Sequence, residues 1–145
     1  MAIREARTKW TGTLQEGAGK LDLVSSGAAR FDVSFPRRAA DEAEGVTSPE
    51  ELLAAAHSSC YAMQFSALIA EAGGTPEVLD VDARVSLGPD PAGGFRIAGI
   101  ELSVRGKASG ITADDLVKAA EKAKVTCPVS KALAGVDIKL NTLLV

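Results

Sequence analysis

Cysteine, histidine and aromatic residues are scarce in this chain of 145 residues, which has two Cys, one His, one Trp, one Tyr and four Phe. Two cysteines are too few for a disulfide-stapled secreted scaffold. With a single histidine beside them, three soft metal ligands can barely be assembled, so no metal site and no cofactor is expected. Basic residues are not in excess either: sixteen against nineteen acidic give a net charge of −3 with histidine neutral. That charge excludes a strongly basic nucleic-acid footprint. No uninterrupted apolar run reaches the roughly 18 residues of a membrane span, so no membrane partner is expected. The segment Met1–Trp10 is charged and lacks the apolar stretch of a signal peptide, which points to a cytoplasmic protein.

What is present is a globular composition, 46% apolar and 24% charged. Without repeats, low-complexity tracts or a dividing linker, residues 1–145 are expected to form a single domain. The first third predicts short strands at Thr8–Leu14, Lys20–Ser25 and Arg30–Phe35, separated by Gly- and Ser-rich turns. Residues 36–47 are polar, carry Arg37 and Arg38, and read as a loop.

A long helix is expected next. Ser48 suits the N-cap, Pro49 the first helical position, and Glu51 a capping box, while Gly73-Gly74 forms the stop. Between Leu52 and Ala72 the strongly polar residues are His57, Gln64 and Glu71, seven apart and so on one narrow stripe. A helix apolar around most of its circumference belongs in the centre of a fold. Val78–Leu87 alternates as a strand, and Phe95–Arg105 returns with a change of phase at Ala98-Gly99 that suggests a bulge. Thr112–Lys124 reads as an amphipathic helix, Cys127-Pro128 opens a short helical turn, and Val136, Ile138 and Leu140 alternate as a last strand. Short connections favour antiparallel neighbours, which gives an α+β class.

Cys60 lies in the long helix three residues after His57, on roughly the same face. Cys127 stands immediately before a helix-starting proline, where the positive end of the helix favours a thiolate. Either thiol can equally be a small buried hydrophobe. An arginine from residues 37–38 brought near a thiolate would lower its pKa, and a helix-start carboxylate such as Glu50 could hold that guanidinium in a bidentate pair. A cysteine hydrolase using Cys60 and His57 would need an oriented base and an oxyanion hole, and no third partner is visible.

Two segments resemble one known family. Ser48-Pro49-Glu50-Glu51-Leu52-Leu53-Ala54-Ala55-Ala56-His57-Ser58-Ser59-Cys60 is similar to the central helix of the osmotically inducible protein C (OsmC) and organic hydroperoxide resistance (Ohr) family. Val125-Thr126-Cys127-Pro128-Val129-Ser130-Lys131 resembles its second cysteine motif, and Trp10 with Gly12 also fits. The resemblance implies an OsmC-like fold, with antiparallel sheets wrapped around a central buried helix in an intertwined homodimer whose active sites lie at the interface. It implies a thiol peroxidase in which Cys60 attacks an organic hydroperoxide and Cys127 resolves the resulting sulfenic acid. It also implies that Glu50 holds the active-site arginine. Arg38 is the arginine that matches, through Ser34-Phe35-x-x-Arg38, with Arg37 beside it as the alternative. That motif, the Cys-Pro-Val-Ser sequence and His57 favour the OsmC branch, and residues 11–24 lack the arginine of the Ohr branch. The implied reductant is a dithiol of lipoyl type. Leu53, Ala56, Tyr61, Met63 and Phe65 are available to line a pocket for an apolar substrate group. The competing reading is a redox-sensing or osmotic-stress binding protein without turnover.

Overall fold

Strands β1 (Arg7–Thr11), β2 (Ala18–Asp22) and β3 (Arg30–Val33) form an antiparallel meander in the order β1-β2-β3 in a computed structural model that describes all of residues 1–145. Their ends are trimmed relative to the sequence expectation because Gly- and Ser-rich turns take over the flanking residues. Gly19 pairs with both Trp10 and Val33. A Cβ at Gly19 would lie 2.7 Å from Val33 Cγ2 and 3.1 Å from Trp10 Cε3, so the glycine gives the indole room to lie across the sheet.

The expected loop after β3 contains a short helix, α1 (Phe35–Arg38). Ser34 caps it by accepting a hydrogen bond from the Arg37 N–H, and Pro36 fits its first turn. Sequence periodicity cannot reveal a single turn of helix, but the Ser-x-Pro signal was present. The chain then returns to β3, where Thr47 bridges Val33 in parallel and donates its N–H to the Asp32 carbonyl at 3.2 Å.

The long helix α2 spans Pro49–Glu71. Ser48 accepts from the Glu51 N–H at 3.1 Å, as a cap should. The reciprocal half of the capping box does not form, because the Glu51 carboxylate takes the Thr47 hydroxyl instead. Gly73 ends the helix at φ 86°, in the left-handed region. By length and composition α2 is long and apolar enough to cross a bilayer, although polar residues interrupt its apolar run. Each residue of its polar stripe instead has a partner within the protein. Glu71 pairs with Lys122 at 3.4 Å, Gln64 donates to Thr126 at 3.1 Å, and His57 bonds Ser130 at 2.8 Å. Seven-residue steps on α2 therefore match four-residue steps on the segment opposite.

That segment is α3 (Ala113–Thr126) followed by α4 (Pro128–Ala132). Thr112 caps α3 by accepting from the Asp115 N–H at 3.2 Å. Strands β4 (Thr75–Pro89) and β5 (Phe95–Ser109) form a long antiparallel hairpin. Ser86 pairs with Gly99 but Leu87 with Ile97, so Ala98 is the extra residue of the expected bulge. The last strand, β6 (Ile138–Leu144), runs parallel to β5, contrary to the antiparallel expectation. The physical reason is that two helices intervene between them and carry the chain back to its starting end.

The chain divides into two compact units, Met1–Leu52 and Leu53–Val145. In the second, Tyr61, Phe65, Leu68 and Ile69 of α2 pack with Leu102 and Val104 of β5 and with Leu116, Ala119, Ala120 and Ala123 of α3. The alanines let two helices approach closely. The Tyr61 hydroxyl donates to the Ala120 carbonyl at 2.9 Å, which satisfies its one buried polar group. This core covers one face of α2 only. Ala55, Ala56, Ser59, Met63, Ala67 and Ala70 face outward, and Met63 is 73% exposed.

Candidate active site

Two clusters of reactive side chains form, one within each unit. In the first unit, α1 and the start of α2 bring Arg38 against Glu50. Arg38 Nη2 donates to Glu50 Oε1 at 2.6 Å, and Nε donates to Oε2 at 3.0 Å. This is the fork-on-fork geometry in which arginine binds a carboxylate best. Arg37, one residue earlier, points elsewhere and pairs with Glu44. Of the two arginines, Arg38 is the one that pairs with Glu50. Glu50 is only 7% exposed. Burial pushes its carboxyl up, but hydrogen bonds from Arg38 and from its own N–H outweigh this and hold it below the ordinary 4.5. Arg38 is held fully protonated, chiefly by its hydrogen bonds to Glu50.

The Arg38 side chain stands on the wall of an apolar cavity of about 290 Å³, lined also by Trp10, Leu21, Val33, Phe35 and Leu52. Sequence reading placed the apolar pocket instead on α2, at Leu53, Ala56, Tyr61, Met63 and Phe65. Tyr61 and Phe65 are fully buried in the core and Met63 faces outward, so that set does not form a pocket. The missed signal was the register of the three short strands. Trp10 and Val33 both neighbour Gly19, one on each side, a coincidence visible only once the strands are paired.

In the second unit, Cys60 of α2 and Cys127, between α3 and α4, face one another. Their sulfurs are 3.2 Å apart and both thiols are free. Cys127 owes its place to Pro128. A residue before proline is driven from helical to extended backbone, and Cys127 has φ −55° and ψ 127° between the two helices. Cys127 is fully buried, whereas Cys60 is partly accessible. Burial pushes both thiols up. For Cys127 that push is outweighed by the N–H groups of Ser130 and Val129, the Cys60 thiol and the Ser130 hydroxyl, so its pKa falls. For Cys60 burial dominates and the Cys127 sulfur adds to it, against one N–H at Val129, so its pKa rises.

His57 is fully buried and its Nε2 lies 2.8 Å from Ser130 Oγ, while Nδ1 has no partner. Burial lowers its pKa, so the ring is neutral at neutral pH. The hydrolase arrangement is not realised, because His57 engages Ser130 and no third group orients its ring. No group of three or more His, Cys, Asp or Glu side chains is arranged to hold a metal ion.

Known proteins are similar to this chain. The family model described as OsmC-like protein matches residues 41–141. The chain is 36% identical over 130 residues to the Escherichia coli protein named peroxiredoxin OsmC, covering 90% of this chain and 89% of that one. It is 32% identical over 137 residues to organic hydroperoxide resistance protein OhrA of Bacillus subtilis, covering 91% of this chain and 94% of that one. Among solved structures, an organic hydroperoxide resistance protein from Elizabethkingia anophelis is similar with a TM-score of 0.73, at 26% identity and 99% coverage of both chains.

Proposed function

This chain belongs to the OsmC-like protein family, and on that premise we propose that it is a cysteine-based peroxidase that reduces organic hydroperoxides to alcohols. The observation that carries the reading is the pair of free sulfurs 3.2 Å apart, one partly accessible and the other fully buried. A peroxide must reach the sulfur it oxidises, so Cys60 is the attacking residue and Cys127 the resolving one.

The steps balance as follows. The Cys60 thiolate attacks the terminal oxygen of ROOH, the O–O bond breaks, and RO⁻ takes up a proton to leave as alcohol. Cys60 is left as sulfenic acid. The Cys127 thiolate then attacks the Cys60 sulfur, an S–S bond forms, and the S–O bond breaks to release hydroxide, which becomes water. A dithiol, in this reading an extended one of lipoyl type, reduces the disulfide and is itself oxidised. Burial and the neighbouring sulfur raise the Cys60 thiol, so the first step needs a cation. We assign that role to Arg38, held by Glu50. The apolar cavity beside Arg38 suits the R group of an organic hydroperoxide.

The uncovered apolar face of α2, with Met63 at 73% exposure, supports a homodimer in which a second copy of this helix buries it. In the same reading the active sites lie at that interface and the protein works in the cytoplasm, where thiols are kept reduced.

The test is steady-state consumption of cumene hydroperoxide and of hydrogen peroxide with a dithiol. The wild type is expected to turn over, with the organic peroxide preferred. Cys60→Ser should lose all turnover, and Cys127→Ser should react once and stall. Full activity in Cys60→Ser would overturn the reading. Stoichiometric oxidation of the wild type without dithiol-driven turnover would favour a redox sensor instead.

A further inference from the structure

His57 and Ser130 sit buried beside the sulfur pair, and the steps above use neither. The Ser130 hydroxyl has one proton and two lone pairs. It has two neighbours: His57 Nε2 at 2.8 Å and, three residues back where Cys127 caps α4, the Cys127 thiol, which it helps to hold down. Its single proton can serve only one of them, and the tautomer of His57 decides which.

With the ring proton on Nδ1, a fully buried N–H would have no acceptor, because Nδ1 has no partner. Nε2 would then be a bare acceptor and would draw the Ser130 proton away from the sulfur. With the ring proton on Nε2, the unpartnered atom is a lone pair rather than an N–H donor, and buried donors are the groups most rarely left orphaned. His57 then donates to Ser130 Oγ, and the Ser130 proton is left to point at Cys127. Burial keeps the ring neutral, so it holds one proton to place.

We infer that His57 is a positioning residue that, through Ser130, aims a hydrogen bond at the Cys127 sulfur and so readies it for the disulfide-forming attack. This rests on the peroxidase reading above and assigns it a residue specific to the second step. A fully buried thiol resists ionisation, and Cys127 must be a thiolate to attack the Cys60 sulfenic acid. Stabilising the thiolate also weakens it as a nucleophile. However, nucleophilicity falls by only about 0.4–0.5 log units for each unit of pKa, while the thiolate fraction rises by up to a full one. The balance favours a faster second step. Cys60 oxidation does not require this hydrogen bond; because the Cys127 thiolate raises the Cys60 thiol, losing the bond should leave that first step no slower.

The experiment separates the two steps in the full-length protein. After one equivalent of cumene hydroperoxide, rapid quenching follows peroxide loss, which reports Cys60 oxidation. Alkylation of remaining thiols, read by mass spectrometry, reports the disulfide. His57→Phe, which keeps a ring of similar size without the donor, and Ser130→Ala are each expected to oxidise Cys60 no more slowly than the wild type. Both should form the disulfide roughly four- to twentyfold more slowly: a hydrogen bond to an ionised group shifts the thiolate fraction by about tenfold or more, and the compensating change in nucleophilicity returns about half of that on a log scale. The double variant should be no slower than Ser130→Ala alone, because His57 acts through Ser130. His57→Gln, whose side-chain amide can donate from the Nε2 position but cannot act as a base, should recover most of the rate.

Wild-type disulfide rates in His57→Phe or Ser130→Ala would overturn the inference, as would losses that multiply in the double variant or a His57→Gln variant no better than His57→Phe. Slowed Cys60 oxidation in these variants would indicate a general structural role and overturn it too. A wild type that consumes peroxide but forms no disulfide would instead overturn the functional reading itself, a result distinguishable from all of these.

Discussion

The sulfur of Cys127 lies 3.2 Å from that of Cys60, across the seam between α2 and the α3–α4 segment. Closing a disulfide requires the two to approach by only a little more than about 1 Å. The same seam carries the pairs Gln64–Thr126 and His57–Ser130, so the sulfurs are held in register from either side.

From this separation, one equivalent of cumene hydroperoxide should convert the wild type to an intramolecular disulfide without unfolding it. Intact mass under non-reducing conditions should fall by two hydrogens. Cys127→Ser should instead gain one oxygen and become reactive toward a sulfenic-acid trap such as dimedone. A disulfide between two chains in place of the internal one would contradict the geometry.

The Arg38–Glu50 pair predicts that two adjacent arginines behave differently. Arg38→Ala leaves the Glu50 carboxylate buried without its partner and should cost about 2–4 kcal/mol of stability. It should also abolish peroxidase turnover. Arg37 pairs at the surface with an exposed Glu44, so Arg37→Ala should change stability by less than about 1 kcal/mol and retain turnover. Chemical denaturation beside the peroxidase assay checks both. Equal losses in the two variants would contradict the assignment.

Glu50 also predicts the acid limb of stability. Its carboxyl in the folded protein lies below the ordinary 4.5 because hydrogen bonds from Arg38 overcome the cost of burial. The folded state therefore binds this proton less readily than the unfolded state does. The stabilisation is fully present above the unfolded value and is lost as pH falls through the lower, folded value. Denaturation midpoints measured from neutral pH downward should decline below about pH 4.5. Glu50→Gln, which removes the charge, should start lower and decline less over the same range. Parallel curves for the two proteins would refute this.

Met63 tests the second copy. Met63→Asp places a charge on the uncovered apolar face of α2 without touching the buried stripe of Tyr61, Phe65, Leu68 and Ile69. Analytical ultracentrifugation should find the wild type as a dimer and the variant shifted to monomer at equal concentration. Its turnover should fall in proportion if the active site needs both chains. A wild type that sediments as a monomer at every concentration would reject the homodimer.

The sequence alone determined what local chemistry can encode. Pro49 and Glu50 after a capping serine, Gly73 at a left-handed end, Thr112 with Asp115, and the phase slip at Ala98 all act through neighbours within a few residues, so each was legible before any fold was known. The two cysteine motifs were legible in the same way. Tertiary structure decided what depends on partners distant in the chain. It showed that Glu50 takes Arg38 and leaves Arg37 to Glu44. It set β6 parallel to β5, and it turned the stripe of His57, Gln64 and Glu71 into a seam that aligns two sulfurs 67 residues apart. Helical periodicity reports which residues share a face. It carries no information about which other face meets them, and that is settled only when burial and hydrogen bonding are satisfied across the whole chain at once.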